Sequence, residues 1–425
     1  MSLGAGLPTA RAAADAADSK FGRVLAAEGI SNFGSMLSRL VIPWLAVLML
    51  AATPMQMAAL QIAETMAVAL GTLWLGSAVD RRGKRAVMLL CDGVRALLLA
   101  LLVLAAWWGV IGMAALIVAA ALAALATAAF EMARSAWMAQ RLNTTTLTAS
   151  NARLSIVGSL SETAAFAIGG WVFQGLGAAL ALVVDALSYI ASALCLRAVP
   201  EAPAAVVPAS NISDHPMRRM LGEATEGLRA VWHGLVLRPL AAIQALLAFA
   251  FALTGTSYAI YTARDLALPL AWLGMVAALG ALGGIAGAWL APRLGQRFGA
   301  GRTITIGLIL FALGSACIPL AQGAGMAALL LLAAHQIVGD GGHMLHDVHD
   351  RTLRQTAVVP ALLARADAGI RTVGAWASLA GTLAGGLLGE AFGARSVLTA
   401  AAVCAAGAAL WAALTLARLP RAYPA

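Results

Sequence analysis

The run HQIVGDGGHMLHDVHDRTLRQ, residues 335–355, carries four of the chain's six histidines together with three aspartates. Residues of these types could ligate a metal, relay a proton, or form the wet end of a membrane helix. His343 with Asp347 and His346 with Asp350 have the i, i+4 spacing that puts two side chains on one helical face. The run supplies no soft ligand and leads toward water, so the reading is no bound metal. Asp347 and Asp350, close to Arg351 and Arg354, read as gate and helix-end electrostatics. His335 and Asp340 lie deeper, beside Gly339, Gly341 and Gly342, and are the residues expected to couple to protons.

Other ionisable groups stand in equally apolar surroundings. A charge near a bilayer centre costs about 2.5–3.5 kcal/mol on insertion scales, so each needs a partner or a wet cavity. Arg39 and Glu64 come at similar depth from neighbouring apolar segments and are expected to pair, either as a brace or as a pair broken in function. Glu162, in GSLSETAAFAIGG, is a candidate proton carrier or a carboxylate satisfied by nearby hydroxyls. Asn32 and Ser35 share a face with Arg39, and Gln244, Thr254 and Tyr258 stand among phenylalanines. That mixture suits a cavity for a large, partly apolar molecule. Asp185 reads as mainly structural.

The elements that must hold these residues follow from composition. Of 425 residues, 61% are hydrophobic and 11% charged, and the mean hydropathy is +0.87, outside soluble usage. A span needs about 20 mostly apolar residues. That ruler selects segments 22–51, 54–79, 86–108, 111–137, 149–174, 177–198, 238–262, 269–292, 302–322, 325–350, 361–390 and 393–418. The fold class is therefore all-α, a polytopic membrane protein of twelve transmembrane helices. Ala, Leu and Gly dominance suits close helix packing in lipid. The first residues lack a secretory signal pattern and read as a cytosolic tail, 1–21. The four cysteines show neither metal nor redox spacing.

Basic residues fix the expected orientation, because Lys and Arg are retained in short cytosolic loops. Of the 28, only Arg264 and Arg395 fall in loops on the far side, and Arg39 and Arg95 within spans. Both termini are thus expected in the cytosol, with the chain in the inner (cytoplasmic) membrane. The net charge of +9 reads as topology and contact with anionic membrane lipids, and no nucleic-acid partner is expected. Residues 199–237 form the linker, with an interfacial amphipathic helix built on Met220, Leu221, Leu228, Val231 and Trp232. They separate bundle 22–198 from bundle 238–418, which is followed by a tail, 419–425.

The two bundles repeat. DRRG at 80–83 falls opposite QRFG at 296–299, Gly169-Gly170 opposite Gly385-Gly386, and Gly158 opposite Gly374, always at an offset of 216. A shared offset argues for pseudo-symmetric six-helix halves. The same offset sets Asp347 opposite Glu131, and Arg297 opposite Arg81, as cytosolic gate residues of two halves.

The stretch GSAVDRRGKRAVML resembles the loop signature of the major facilitator superfamily, G-x-x-x-D-R-x-G-R-R/K, between its second and third spans. SRLVIPWLAVLML, CDGVRALLLA, VDALSYIASAL and TLRQTAVVPALLARADA are similar to its efflux branch, which includes macrolide exporters and the enterobactin exporter. The resemblance covers nearly the whole chain. It implies that Gly76, Asp80, Arg81, Gly83 and Arg85 form a gating loop, with Asp92 and Arg95 joining it. Gly76 would allow close helix approach and Gly83 a tight turn. The antiporter pattern G-P-x-x-G-G is absent: span five reads AFAIGG and span eleven GTLAGG.

The expected function is export of amphipathic organic compounds from the cytosol by alternating access, driven by proton antiport, in a monomer. Export of an endogenous siderophore or carboxylate is the alternative, and a non-transporting sensor or lipid scramblase a third reading. No nucleophile motif or phosphate loop appears, so neither an enzyme nor a cofactor is expected.

Overall fold

The computed structural model describes residues 10–142, 144–201, 232, 234, 236–358 and 360–417, and most of the linker lies outside that set. The expected interfacial helix at 220–232 therefore falls almost wholly outside the described residues. Every regular element among them is helical: α1 Ala10–Leu48, α2 Pro54–Arg81, α3 Lys84–Trp107 and α4 Met113–Arg141. The helix Thr144–Arg197 is broken at Gly177, giving α5 (144–176) and α6 (178–197). In the second half α7 is Leu237–Ala259, continued by a π turn Ile260–Asp265; α8 is Leu270–Phe298 and α9 Ala300–Leu320. Helix α10 runs through Met326–Ala334, a π turn His335–Gly339 and Asp340–Ala357, before α11 Pro360–Phe392 and α12 Ala394–Thr415.

These helices coincide with the twelve expected spans, except that α1 begins in the segment read as a tail. ARAAADAADSK there is alanine-rich, and alanine is the strongest helix former. Among the described residues, 8 helical stretches are long and apolar enough to cross a membrane by length and composition alone.

The repeat is written into the backbone. Ala51 and Ala267, the two non-glycine residues of positive φ among those described, both have φ 49° and are related by the repeat offset. Gly177 and Gly393, related in the same way, both have φ 80°. Each helix-to-helix corner after α1 and α5 thus recurs after α7 and α11. A left-handed corner favours glycine because it has no Cβ to clash.

The chain forms two compact units: one of residues 1–41, 64–165 and 176–210, the other of 42–63, 166–175 and 211–425. In the first, Phe21, Val24, Met88, Phe130, Trp137 and Leu196 form a buried apolar cluster. In the second, Ile243, Leu247, Ile304, Leu308, Phe311 and Ala408 do so. The second unit grips α10 between glycines. A Cβ on Gly283 would meet the Gln336 and Ile337 carbonyls at 2.7 and 2.5 Å, and one on Gly314 would meet Gly339 Cα at 2.6 Å. Gly307 and Gly342 face each other just as closely, so α8, α10 and α9 touch backbone to backbone. Contacts this close are typical of small-residue helix interfaces in membranes.

Candidate functional site

In the first unit the loop between α2 and α3 is held by a residue the sequence reading passed over. The Glu201 carboxylate accepts a hydrogen bond from the Arg85 backbone N–H at 2.8 Å and lies 3.7 Å from the Arg85 guanidinium. Arg85 also donates to the Arg197 and Val199 carbonyls, and Arg141 to the Glu201 carbonyl. Gly83 leaves room for this carboxylate. Its φ is −60°, open to any residue, but a Cβ would lie 2.7 Å from the Glu201 carboxyl carbon. A larger residue would push the Glu201 carboxylate, the end of a flexible side chain, away from the Arg85 N–H. Arg81 is exposed, and the surroundings of Gly76 and of the Asp80 side chain lie outside what is described. Arg134 of α4 pairs with Glu28 of α1, a further link in this unit.

Asp92 and Arg95 stand apart from that loop, as a buried brace. Arg95 bonds Asp92, reaches Thr127 Oγ1 at 3.4 Å, and lies 4.8 Å from the Phe130 ring and 4.2 Å from that of Tyr189. Asp92 also accepts from Ser192 at 2.8 Å. Asp185 accepts from Ser38 and, at 3.2 Å, from Ser188. Asn32 donates to the Gly158 carbonyl at 3.2 Å and Ser35 bonds the Tyr189 hydroxyl at 2.8 Å. Asn32 and Ser35, two of the three residues in the polar stripe expected to face a cavity, are thus each bonded to a neighbouring helix. Arg39 and Glu162 are exposed and Glu64 half-buried. Arg39 lies within electrostatic reach of Glu64, but no direct ion pair joins them among the described residues.

The repeat offset explains much of the histidine run. It carries Ser35, Arg95, Thr127 and Phe130 onto Phe251, Phe311, His343 and His346. These four also meet: His343 stacks 5.0 Å from Phe251, 5.6 Å from Phe311 and 6.1 Å from His346, and Phe251 lies 5.1 Å from Phe311. Where the first half braces its helices with a buried ion pair between aromatic rings, the second packs aromatics and imidazoles. His349 bonds the Leu345 carbonyl at 3.0 Å and packs on Gly295. Beyond it Arg354 clasps Asp350 and, at 3.0 Å, Asp367 of α11. Asp347 pairs with Arg351 on its own helix at 2.9 Å. Its counterpart Glu131 is exposed on α4, as is Arg297 on α8.

His335 and Asp340 bracket the π turn of α10. Such turns arise where an α-helix accommodates an extra residue and are frequent at functional sites. The His335 Nδ1 is buried without a hydrogen-bond partner among the described residues, above Gly339 at 3.2 Å from where a Cβ would stand. Asp340 and Gln336 instead face Gly280 of α8, and Tyr258 of α7 lies within electrostatic reach of Asp340. The structure thus gathers Tyr258, Gln336 and Asp340 and sets His335 on the α9 side. Gln244 packs on Gly374, and Thr254 bonds its own helix at Ala250.

The second unit also contains a seam that the sequence reading missed. Met55 N–H, at the start of α2, donates to Glu390 Oε1 of α11 at 3.2 Å. Ala271 N–H, at the start of α8, donates to Gln174 Oε1 of α5 at 3.1 Å. The repeat offset relates donor to donor and acceptor to acceptor, so these are two copies of one helix cap. Beside them Gly386 packs on Met55 and Ala58, and its counterpart Gly170 packs on the Leu270 carbonyl. A Cβ on Gly274 would lie 2.6 Å from the Phe166 carbonyl oxygen. Thr382 Oγ1 donates to Gln61 Oε1 at 3.4 Å, and Arg264 to the Ala52 carbonyl at 3.4 Å. The signal was present: Gln174 and Glu390 each follow the second glycine of their Gly-Gly pair at the same short spacing.

Losing a cap acceptor typically costs about 1 kcal/mol. Gln174→Ala and Glu390→Ala are each expected to speed alkylation of a cysteine placed at buried Ala58 by roughly fivefold, with the double variant near the product of the two. Equal rates in all four proteins would remove the seam's caps from the account.

Residues 24–345 match the model of the Major Facilitator Superfamily. No curated protein matches the sequence significantly. Among solved structures, the nucleoside transporter NupG superposes with a TM-score of 0.73 at 12% identity, over 93% of this chain and 98% of that one. A bacterial homologue of the iron transporter ferroportin, in an inward-facing state, gives 0.71 at 16% over 94% and 99%. A bacterial metal transporter gives 0.69 at 17% over 93% and 98%.

Proposed function

Since the chain belongs to the Major Facilitator Superfamily, we propose that it is a secondary transporter that exports amphipathic organic compounds from the cytosol in exchange for protons. The transporter fold is shared with a nucleoside transporter, a metal transporter and a homologue of an iron transporter, and these do not choose a substrate for this chain. The observation that carries the proton reading is the π turn of α10, which sets His335 and Asp340 where the apolar stretch Met326–Ala334 passes into the polar, glycine-gripped stretch Asp340–Ala357. A charge in such a place is costly and is typically tied to ion or proton movement. The partly apolar surroundings of Tyr258 and Phe251 favour an amphipathic cargo.

Alternating access then has two moving parts in this reading. Opening of the capped seam at the starts of α2 and α8 releases cargo, and rearrangement at the wider turn of α10 couples that opening to Asp340. The protein works as a monomer in the inner membrane with both termini cytosolic, in keeping with the distribution of its basic residues.

Asp340→Asn preserves shape and removes the proton-binding carboxylate. In proteoliposomes, one pH unit supplies about 1.4 kcal/mol per exchanged proton, a tenfold accumulation. Wild type is expected to accumulate cargo accordingly, and Asp340→Asn to retain cargo exchange while losing the accumulation. His335→Ala, which removes the imidazole buried beside the turn, is expected to weaken that accumulation. If both variants accumulate cargo with the wild-type pH profile, proton coupling does not run through this turn.

A further inference from the structure

We infer that the trough between α9 and α12 is a binding site for an anionic phospholipid, its headgroup held by Arg395. The trough has a volume of about 810 Å³ and is lined almost wholly by apolar side chains. Alanines, among them Ala312, Ala402 and Ala409, make its floor, while Leu313, Val403 and Leu410 form walls that are 59%, 65% and 60% exposed. From Arg395 to Ala413 it follows α12 for about 27 Å at 1.5 Å per residue. A concave apolar strip of that length, on helices read as spanning a membrane, has the shape and chemistry of lipid chains.

Arg395 supplies the other half of the ligand. It stands at the start of α12, at the mouth of the trough. Its Nε donates to the Pro319 carbonyl at 2.9 Å, which fixes the guanidinium at the end of α9. No acidic group pairs with it among the described residues. Arg264, the other basic residue of the far-side loops, instead lies 3.5 Å from Asp265. Basic residues are normally excluded from that side, so a fixed arginine without an acid there needs an anion. A phosphate matches its planar fork of donors. The repeat does not dictate the residue, because the equivalent position in the first half is Ala179. The arginine belongs to the trough of the second half alone.

The test uses the full chain in nanodiscs of phosphatidylcholine with phosphatidylglycerol as the only anionic lipid, and native mass spectrometry of what stays bound after mild detergent release. Wild type is expected to retain phosphatidylglycerol preferentially. One basic residue near a lipid surface contributes an attraction worth roughly fivefold, so Arg395→Gln should lower that preference about fivefold while Arg395→Lys keeps most of it. Ala406→Phe, which fills the trough, should release retained lipid of either class without changing helical content. Retained preference in Arg395→Gln, or undiminished lipid in Ala406→Phe, overturns the assignment. So does conversion by Ala406→Phe of a dimer to a monomer, which would give the trough to a second copy.

Discussion

Arg95→Ala is expected to lower the melting temperature of the detergent-solubilised protein by roughly 5 °C. Arg95 and Asp92 are 3% and 0% exposed, and the arginine lies between two aromatic rings. Removing one partner of a buried ion pair costs about 3–5 kcal/mol, because the other charge stays buried without compensation. The repeat suggests the complementary experiment. At the equivalent positions the second half uses Leu308 and Phe311, packed in an apolar cluster. Asp92→Leu combined with Arg95→Phe removes both charges and is expected to recover most of the loss. Thermal unfolding followed by fluorescence checks both variants; a wild-type melting temperature for Arg95→Ala would show that the brace contributes little. The same brace argues against counting Asp92 and Arg95 with the gating loop, since their partners are Thr127, Phe130, Tyr189 and Ser192.

Gly274→Ala is expected to open the seam. The added methyl would meet the Phe166 carbonyl oxygen at 2.6 Å and the Gly170 nitrogen at 2.9 Å, both backbone atoms that no rotamer change can move. Overpacking of this kind costs about 1–3 kcal/mol, and it falls only on the conformation in which α5 and α8 are in contact. A difference of that size shifts a two-state equilibrium by roughly 5- to 150-fold. Alkylation of Ala58→Cys, a position with no exposure in the closed seam, should accelerate within that range in the Gly274→Ala background. An unchanged rate would mean that the seam is a static packing surface.

Much of this was legible in the sequence. Twelve apolar segments of bilayer length specify twelve helices, and the loop signature around Asp80-Arg81-Arg82-Gly83 pointed to the superfamily. The repeat offset argued for duplicated six-helix halves, and Ala51 with Ala267 shows that it extends to backbone angles. Local polarity was a poorer guide. Asn32 and Ser35 looked like cavity residues because a polar stripe on a membrane helix has few other uses, yet hydrogen bonds between helices are one of them. Glu201 was missed because it lies outside the apolar periodicity, far along the chain from the Arg85 backbone it caps. The π turn was invisible to any count of 3.6 residues per turn. Only its glycines hinted that α10 is pressed against α8 and α9 closely enough to need them.

In the proposed function, this chain couples the movement of an amphipathic compound to that of protons. Inverted membrane vesicles containing the protein, offered a panel of fluorescent amphipathic dyes under an imposed inside-acid pH gradient, test it most directly. At least one dye should accumulate inside, collapse of the gradient should release it, and Asp340→Asn vesicles should fail to concentrate it. Accumulation that survives both gradient collapse and Asp340→Asn would contradict proton exchange as the driving reaction.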